Sequence, residues 1–112
     1  MGTYLVQGQY SSESWAAQVA NPVNRVEIAR KAIEGFGGKL IVDYFAFGQW
    51  DWVMIMEMPT NEAAAGFVVA ITSTGMNKNI QTTVLMTLDE GINALKNAGK
   101  LKYATPKDQA KK

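Results

Sequence analysis

The sequence predicts an α+β domain: a four-stranded antiparallel sheet with two helices on one face. Three observations lead there. β-rich runs and helical stripes alternate as βαββαβ, the middle two β-rich runs are separated by a loop too short to hold a helix, and the chain has 112 residues. That length fits one domain and leaves little room for a second.

The first strand is expected over Thr3–Tyr10, rich in β-formers, and Ser11-Ser12-Glu13 then supplies a hydroxyl cap and an acidic first turn for a short helix through Trp15 and Val19. Asn21-Pro22 is expected to restart the helix, with Asn21 as cap and Pro22 at the first helical position, where a missing N–H costs nothing. From there Val23, Val26, Ala29, Ile33 and Phe36 recur at spacings of three and four, and Gly35, Gly37 and Gly38 end the stripe. That Gly-rich run follows a helix instead of opening one, so it reads as a cap and not as a phosphate cradle. Leu40–Phe47 and Trp50–Met58 are two strands joined at Gly48-Gln49, a pair that suits a type II′ turn. Thr60 is expected to cap a second long helix carrying Ala64, Phe67, Val68 and Ile71 inward, closed by Gly75. A fourth strand is expected over Asn79–Leu88, and Asp89 opens a short last helix with Ile92 and Leu95 inward, ending near Gly99. Together these are the elements of a ferredoxin-like split βαβ domain.

Pairing across the hairpin sorts its side chains into two faces. Phe47 faces Trp50, Ala46 faces Asp51, Phe45 faces Trp52 and Tyr44 faces Val53. One face then holds Leu40, Val42, Tyr44, Ala46, Asp51, Val53, Ile55 and Glu57, and this smaller, aliphatic face is expected to meet the helices. The other holds Ile41, Asp43, Phe45, Phe47, Trp50, Trp52, Met54 and Met56. Left to water it would be a larger apolar patch than a monomer usually exposes. The expectation is an isologous dimer, sheet against sheet, with Phe45, Phe47, Trp50, Trp52, Met54 and Met56 in the interface.

Composition narrows the chemistry. The net charge is +1, from 11 Lys+Arg against 10 Asp+Glu, and there is no overall basic field to hold phosphate backbones. Residues 99–112 carry +4 and residues 1–98 carry −3, so the chain divides into an acidic domain and a basic tail expected to be mobile. No nucleic-acid partner is expected. With no Cys there are no disulfides, thiolate metal sites or thiol nucleophiles, and with no His there is neither a Ser-His-Asp triad nor a His-ligated haem. No metal and no cofactor is expected. No basic, apolar leader opens the sequence and no apolar run reaches the ~20 residues that cross a bilayer, so the expected location is cytoplasmic, away from membranes.

Gly48-Gln49-Trp50-Asp51 resembles the Gly-x-Tyr-Asp signature of GYD-domain proteins, with Trp50 in place of Tyr. Thr3-Tyr4-Leu5-Val6, Glu62-Ala63-Ala64-Ala65 and Gln81-Thr82-Thr83-Val84-Leu85 extend the resemblance over roughly residues 3 to 95. It implies a ferredoxin-like domain of the dimeric α/β-barrel group, which also holds cofactor-free monooxygenases, muconolactone isomerases and stress-responsive barrels. It implies no particular activity, and Trp50 removes any role that needs a phenolic hydroxyl there.

Candidate chemistry gathers at the hairpin. Tyr44 and Asp51 sit diagonally on the face assigned to the helices, ~7 Å apart at the backbone. An Asp on an apolar face has its pKa raised and can act as a base, with Tyr44 as proton donor. Arg25 can instead neutralise Asp51, or Asp51 can simply pin the hairpin through hydrogen bonds. The end of the first strand (Tyr10), the first helix (Trp15), Arg25 and the end of the second long helix (Thr72) are expected at the same edge and are the candidate ligand-binding residues. Three functions follow: binding of a small apolar or aromatic molecule between sheet and helices, a non-catalytic homo-oligomeric assembly module, or a cofactor-independent monooxygenase or isomerase using Asp51 and Tyr44.

Overall fold

The computed structural model describes residues 1–109. β1 (Gly2–Tyr10) is the strand on which the sheet is built, pairing antiparallel with β3 (Trp52–Met58) on one side and β4 (Asn77–Leu85) on the other. With β2 (Lys39–Phe45) outside β3, the strand order is β2-β3-β1-β4, the ferredoxin-like arrangement. The helices are α1 (Ser12–Ala20), α2 (Val26–Gly35), α3 (Asn61–Thr72), α4 (Leu88–Ala98) and the single turn α5 (Pro106–Gln109). Residues 110–112, the end of the expected tail, lie outside the described residues. No helix of the described residues is long and apolar enough to cross a membrane.

Caps fix the helix ends. Ser11 accepts from the Ser14 N–H at 3.1 Å and Thr60 from the Ala63 N–H at 3.1 Å, as their positions before the helices require. α2 ends in a Schellman motif: Gly38 N–H donates to Ile33 O, Gly37 N–H to Glu34 O, and Gly37 takes φ +84°. The helix does not restart at Asn21-Pro22. Residues 21–25 are a non-helical link, and α2 starts where the Asn24 side chain accepts from the Val26 N–H at 2.9 Å. Likewise Thr87, not Asp89, caps α4, in a capping box with Glu90.

The hairpin register is as expected at Phe45↔Trp52 and Tyr44↔Val53, but the loop runs from 46 to 51 and Gly48 does not adopt the positive φ of a type II′ turn. A register shift between Leu40 and Val42 moves Leu40 opposite Met56, onto the other face from Val42.

The larger correction concerns which face the helices cover. Trp52 is 5% exposed and Met56 and Met58 are 0% exposed, packed with Met54, Tyr4, Val6 and Leu40 against Ile33 of α2 and Ala64 and Phe67 of α3. The Trp and Met face is therefore the core of the chain itself, and Trp52, Met54 and Met56 are not available to a sheet-to-sheet interface. Phe45 and Phe47 are exposed and Trp50 is half-buried. The reason is distance. A helix layer stands ~10 Å from a sheet, and α2 and α3 bring one large side chain each, Ile33 and Phe67, to the fully buried layer. Long, adaptable Met side chains and an indole fill that gap where Val and Ile would leave voids. Full burial of each such side chain is worth ~1.5–3 kcal/mol. The opposite face, with Leu5, Val42, Val53 and Ile55, is packed under none of the described helices and is partly exposed. One apolar face is still left open, the reverse of the one expected.

Gly8 permits this arrangement. It pairs with Trp52 across the β1–β3 ladder, and a Cβ at residue 8 would overlap the indole ring. The ring is fixed in turn by its N–H, which donates to Asn77 Oδ1 at 2.8 Å. Gly8→Ala is expected to cost ~1–3 kcal/mol of stability by overpacking, and Gly8→Ala combined with Trp52→Leu less than the sum of the single changes. Urea unfolding of the four chains checks this; strict additivity would mean that the two residues do not compete for the same space.

Candidate functional site

Where β1 ends and β3 begins, α1, the link 21–25 and the start of α2 close over the sheet and leave a cleft of about 840 Å³. Its walls are Tyr10, Trp15, Val19, Pro22, Val23, Arg25, Val26, Asp43, Tyr44, Phe45 and Trp52, with Gln18 and Asn24. A second, deeper cleft of about 570 Å³ shares Tyr10, Gln18, Val23, Arg25, Asp43 and Trp52 with the first and continues inward to Met54, Phe67 and Ile71.

Local structure sets each wall. The Ser11 N–H donates to Met76 O at 3.0 Å, tying the start of α1 to the approach to β4, and one turn later Trp15 packs edge-on against Tyr10 with ring centroids 5.0 Å apart. Tyr10 is also 6.5 Å from the Trp52 ring, so three aromatic rings line one side. The Asn24 turn at the start of α2 fixes the stretch from which Val23 and Arg25 line the cleft.

The polar groups are few. Asp43 follows the irregularity in β2 and lies opposite Met54, on the core face, and burial raises its carboxyl above the ordinary value. Among the described residues it accepts no hydrogen bond from a protein group. The Tyr10 phenol is also raised: burial is the main cause, the Asp43 charge adds to it, the Arg25 guanidinium opposes it, and Asp51 adds again. The cleft thus presents a phenol that stays protonated, an acceptor with no protein donor, and a cation at the exposed rim.

Of the residues singled out from sequence, Tyr10, Trp15 and Arg25 line the cleft, and Tyr44 contributes to its rim. Asp51 lines neither cleft. Its carboxylate accepts from the Tyr10 backbone N–H at 2.8 Å, its own N–H donates to Gly8 O and its carbonyl accepts from Ala46, so it ties the hairpin to the end of β1. Gln9 adds a bond from its side chain to Gln49 O at 2.7 Å. The Asp51 and Tyr44 pair is not brought together in the cleft. Thr72 lies outside it as well, its hydroxyl donating to Val68 O within α3. Asp43, Phe45 and Trp52 also line the cleft, although the sequence reading placed all three on the face given to the dimer. The signal was an acid, Asp43, on the face that carries the largest side chains, and Trp52 opposite the strand glycine Gly8.

A sheet of order β2-β3-β1-β4 with α2 and α3 on one face and a cleft at its end defines a ferredoxin-like α+β domain, and solved structures share that fold. MtbAldR superposes with a TM-score of 0.55 at 14% identity, over 77% of this chain and 52% of that one. TTHA0845 from Thermus thermophilus superposes with a TM-score of 0.51 at 18% identity, over 78% of this chain and 95% of that one. An AsnC family transcriptional regulator from Agrobacterium tumefaciens gives 0.50 at 13% identity, over 77% of this chain and 50% of that one. The chain thus spans about half the length of MtbAldR and of the Agrobacterium regulator. No curated protein matches it in sequence. The chain belongs to the GYD domain family, whose model matches residues 4–95.

Two outcomes test the roles given to the acids. Asp51→Ala leaves the Tyr10 N–H without its partner and is expected to cost ~1–3 kcal/mol, whereas Asp51→Asn, which keeps an acceptor oxygen, costs less; urea unfolding distinguishes them. For Asp43 the folded state holds the proton more tightly than the unfolded chain, whose carboxyl titrates near 3.8. The charge therefore destabilises the fold at neutral pH, and the cost disappears as pH falls through that raised pKa toward 3.8. Asp43→Asn is expected to raise the melting temperature at pH 7 and to lose that advantage near pH 3.5, read by circular dichroism.

Proposed function

We propose that this GYD-domain protein binds a small apolar or aromatic molecule in the cleft between the sheet and the α1–α2 link. The observation that carries the reading is the cleft itself: the neighbouring rings of Trp15, Tyr10 and Trp52 line it together with Val23, Arg25 and the acid Asp43. A planar apolar body fits against the rings, and the Tyr10 hydroxyl, Asp43 and Arg25 offer orienting contacts to its polar substituents. Binding without chemistry fits this geometry better than acid–base catalysis by Asp51 and Tyr44, because Asp51 is engaged at the hairpin. The uncovered sheet face supports a second part of the reading, that the protein works as a homodimer or higher homo-oligomer.

A fluorescent naphthalene sulfonate tests the cleft. Saturable binding of one probe per chain, with quenching of Trp emission, is expected. Val23→Trp, which fills the cleft from an exposed position, should weaken that binding at least tenfold without lowering the melting temperature. Unchanged affinity in Val23→Trp would place the probe elsewhere and defeat the reading.

A further inference from the structure

α4 is a complete helix that, among the described residues, packs on no part of the core. Its start carries the Thr87–Glu90 capping box and its end the Gly99 N–H to Leu95 O bond, yet none of its residues is buried. The chain has a radius of gyration of 18.9 Å, against ~13 Å for a compact domain of this length. Its longest dimension is 66 Å. Leu88, Ile92 and Leu95 recur at spacings of four and three and form one apolar stripe, with Leu88 89% and Leu95 68% exposed. Leu101 and Tyr103, which follow the helix in the chain, are exposed as well. An eleven-residue helix is marginal in water without a surface to lie on.

The same chain has a second uncovered apolar surface, the open sheet face with Leu5, Val42, Val53 and Ile55. We propose that α4 is an exchanged arm: the Leu88-Ile92-Leu95 stripe of one copy packs on the open sheet face of a second copy, and the second returns the same contact. Charge agrees with this pairing, since residues 99–112 carry +4 and residues 1–98 carry −3, so the end of each arm is drawn to the other copy's body. Area agrees as well. At roughly 100 Å² for each exposed side chain of Leu88, Ile92, Leu95, Leu101 and Tyr103 and about half that for each half-buried face residue, two arms and the faces that receive them bury ~1,400 Å², within the range of a stable interface. The exchange rests on the reading above only for the association of two copies, and it is independent of the ligand cleft.

The absence of native Cys makes the test direct. Leu95→Cys with Ile55→Cys in one chain, oxidised at micromolar concentration, is expected to give a disulfide-linked dimer, while each single variant gives none. A 95–95 disulfide in the single Leu95→Cys chain would show helix pairing with helix, an intramolecular 55–95 link would show the arm folding back on its own sheet, and no crosslink in the double variant would show α4 away from this face; each overturns the proposal. Sedimentation of the full chain with Ile92→Glu and Leu95→Glu provides a second measurement. Because α4 touches no core residue, the variant is expected to keep the sheet's melting transition while its dimer constant weakens at least tenfold. An unchanged dimer constant, or a monomeric parent chain at 50 μM (a concentration far above that of a standard-size interface's dissociation constant, ~1 μM or below), overturns it too.

Discussion

The helix side of the sheet is arranged around one contact, the Trp52 indole lying against a strand position that has no side chain. Gly8 gives the ring its room, Asn77 takes its N–H, and the rest of the β3 row, Met54, Met56 and Met58, continues the same layer under α2 and α3. A ring held there serves two purposes. Its buried side completes the core, and its other edge is a wall of the cleft that Tyr10 and Trp15 extend. Core and candidate site share one side chain, so the packing that stabilises the domain also fixes the shape of the cleft.

The GYD-like segment gains a physical role from this. Gly48-Gln49-Trp50-Asp51 lies in the β2–β3 loop, and three bonds secure it to the last residues of β1: Gln9 side chain to Gln49 O, Asp51 N–H to Gly8 O, and Tyr10 N–H to the Asp51 carboxylate. The Asp of the motif thus satisfies a strand-end donor that has no ladder partner, and it fixes Tyr10 beside Trp52. Its work is done through the backbone. The acid that lines the cleft is Asp43, reached from the neighbouring strand, where burial and not a partner sets its protonation.

Two apolar surfaces remain after the chain has folded, the open sheet face and the stripe of α4. A domain of this size buries a modest share of its surface, and the proposed exchange would cover both of these surfaces. The acidic body and the basic end would add a charge attraction to that proposed contact.

By itself the sequence determined the order of elements, the hairpin pairing around Phe45 and Trp52, the Ser11 and Thr60 caps, the end of α2 and the family. These depend on residues near one another in the chain, where cap chemistry, turn residues and the alternation of side chains act directly. Tyr10, Trp15 and Arg25 were legible for the same reason, since they lie at the ends of elements whose order was already known. Only the tertiary structure decided which sheet face the helices cover, that Asp43 and not Asp51 meets the cleft, and that α4 stands free. Both faces of β3 are apolar, so periodicity is silent about sides. The choice falls to volume, because the space between sheet and helices must be filled and Trp and Met fill it better than Val and Ile.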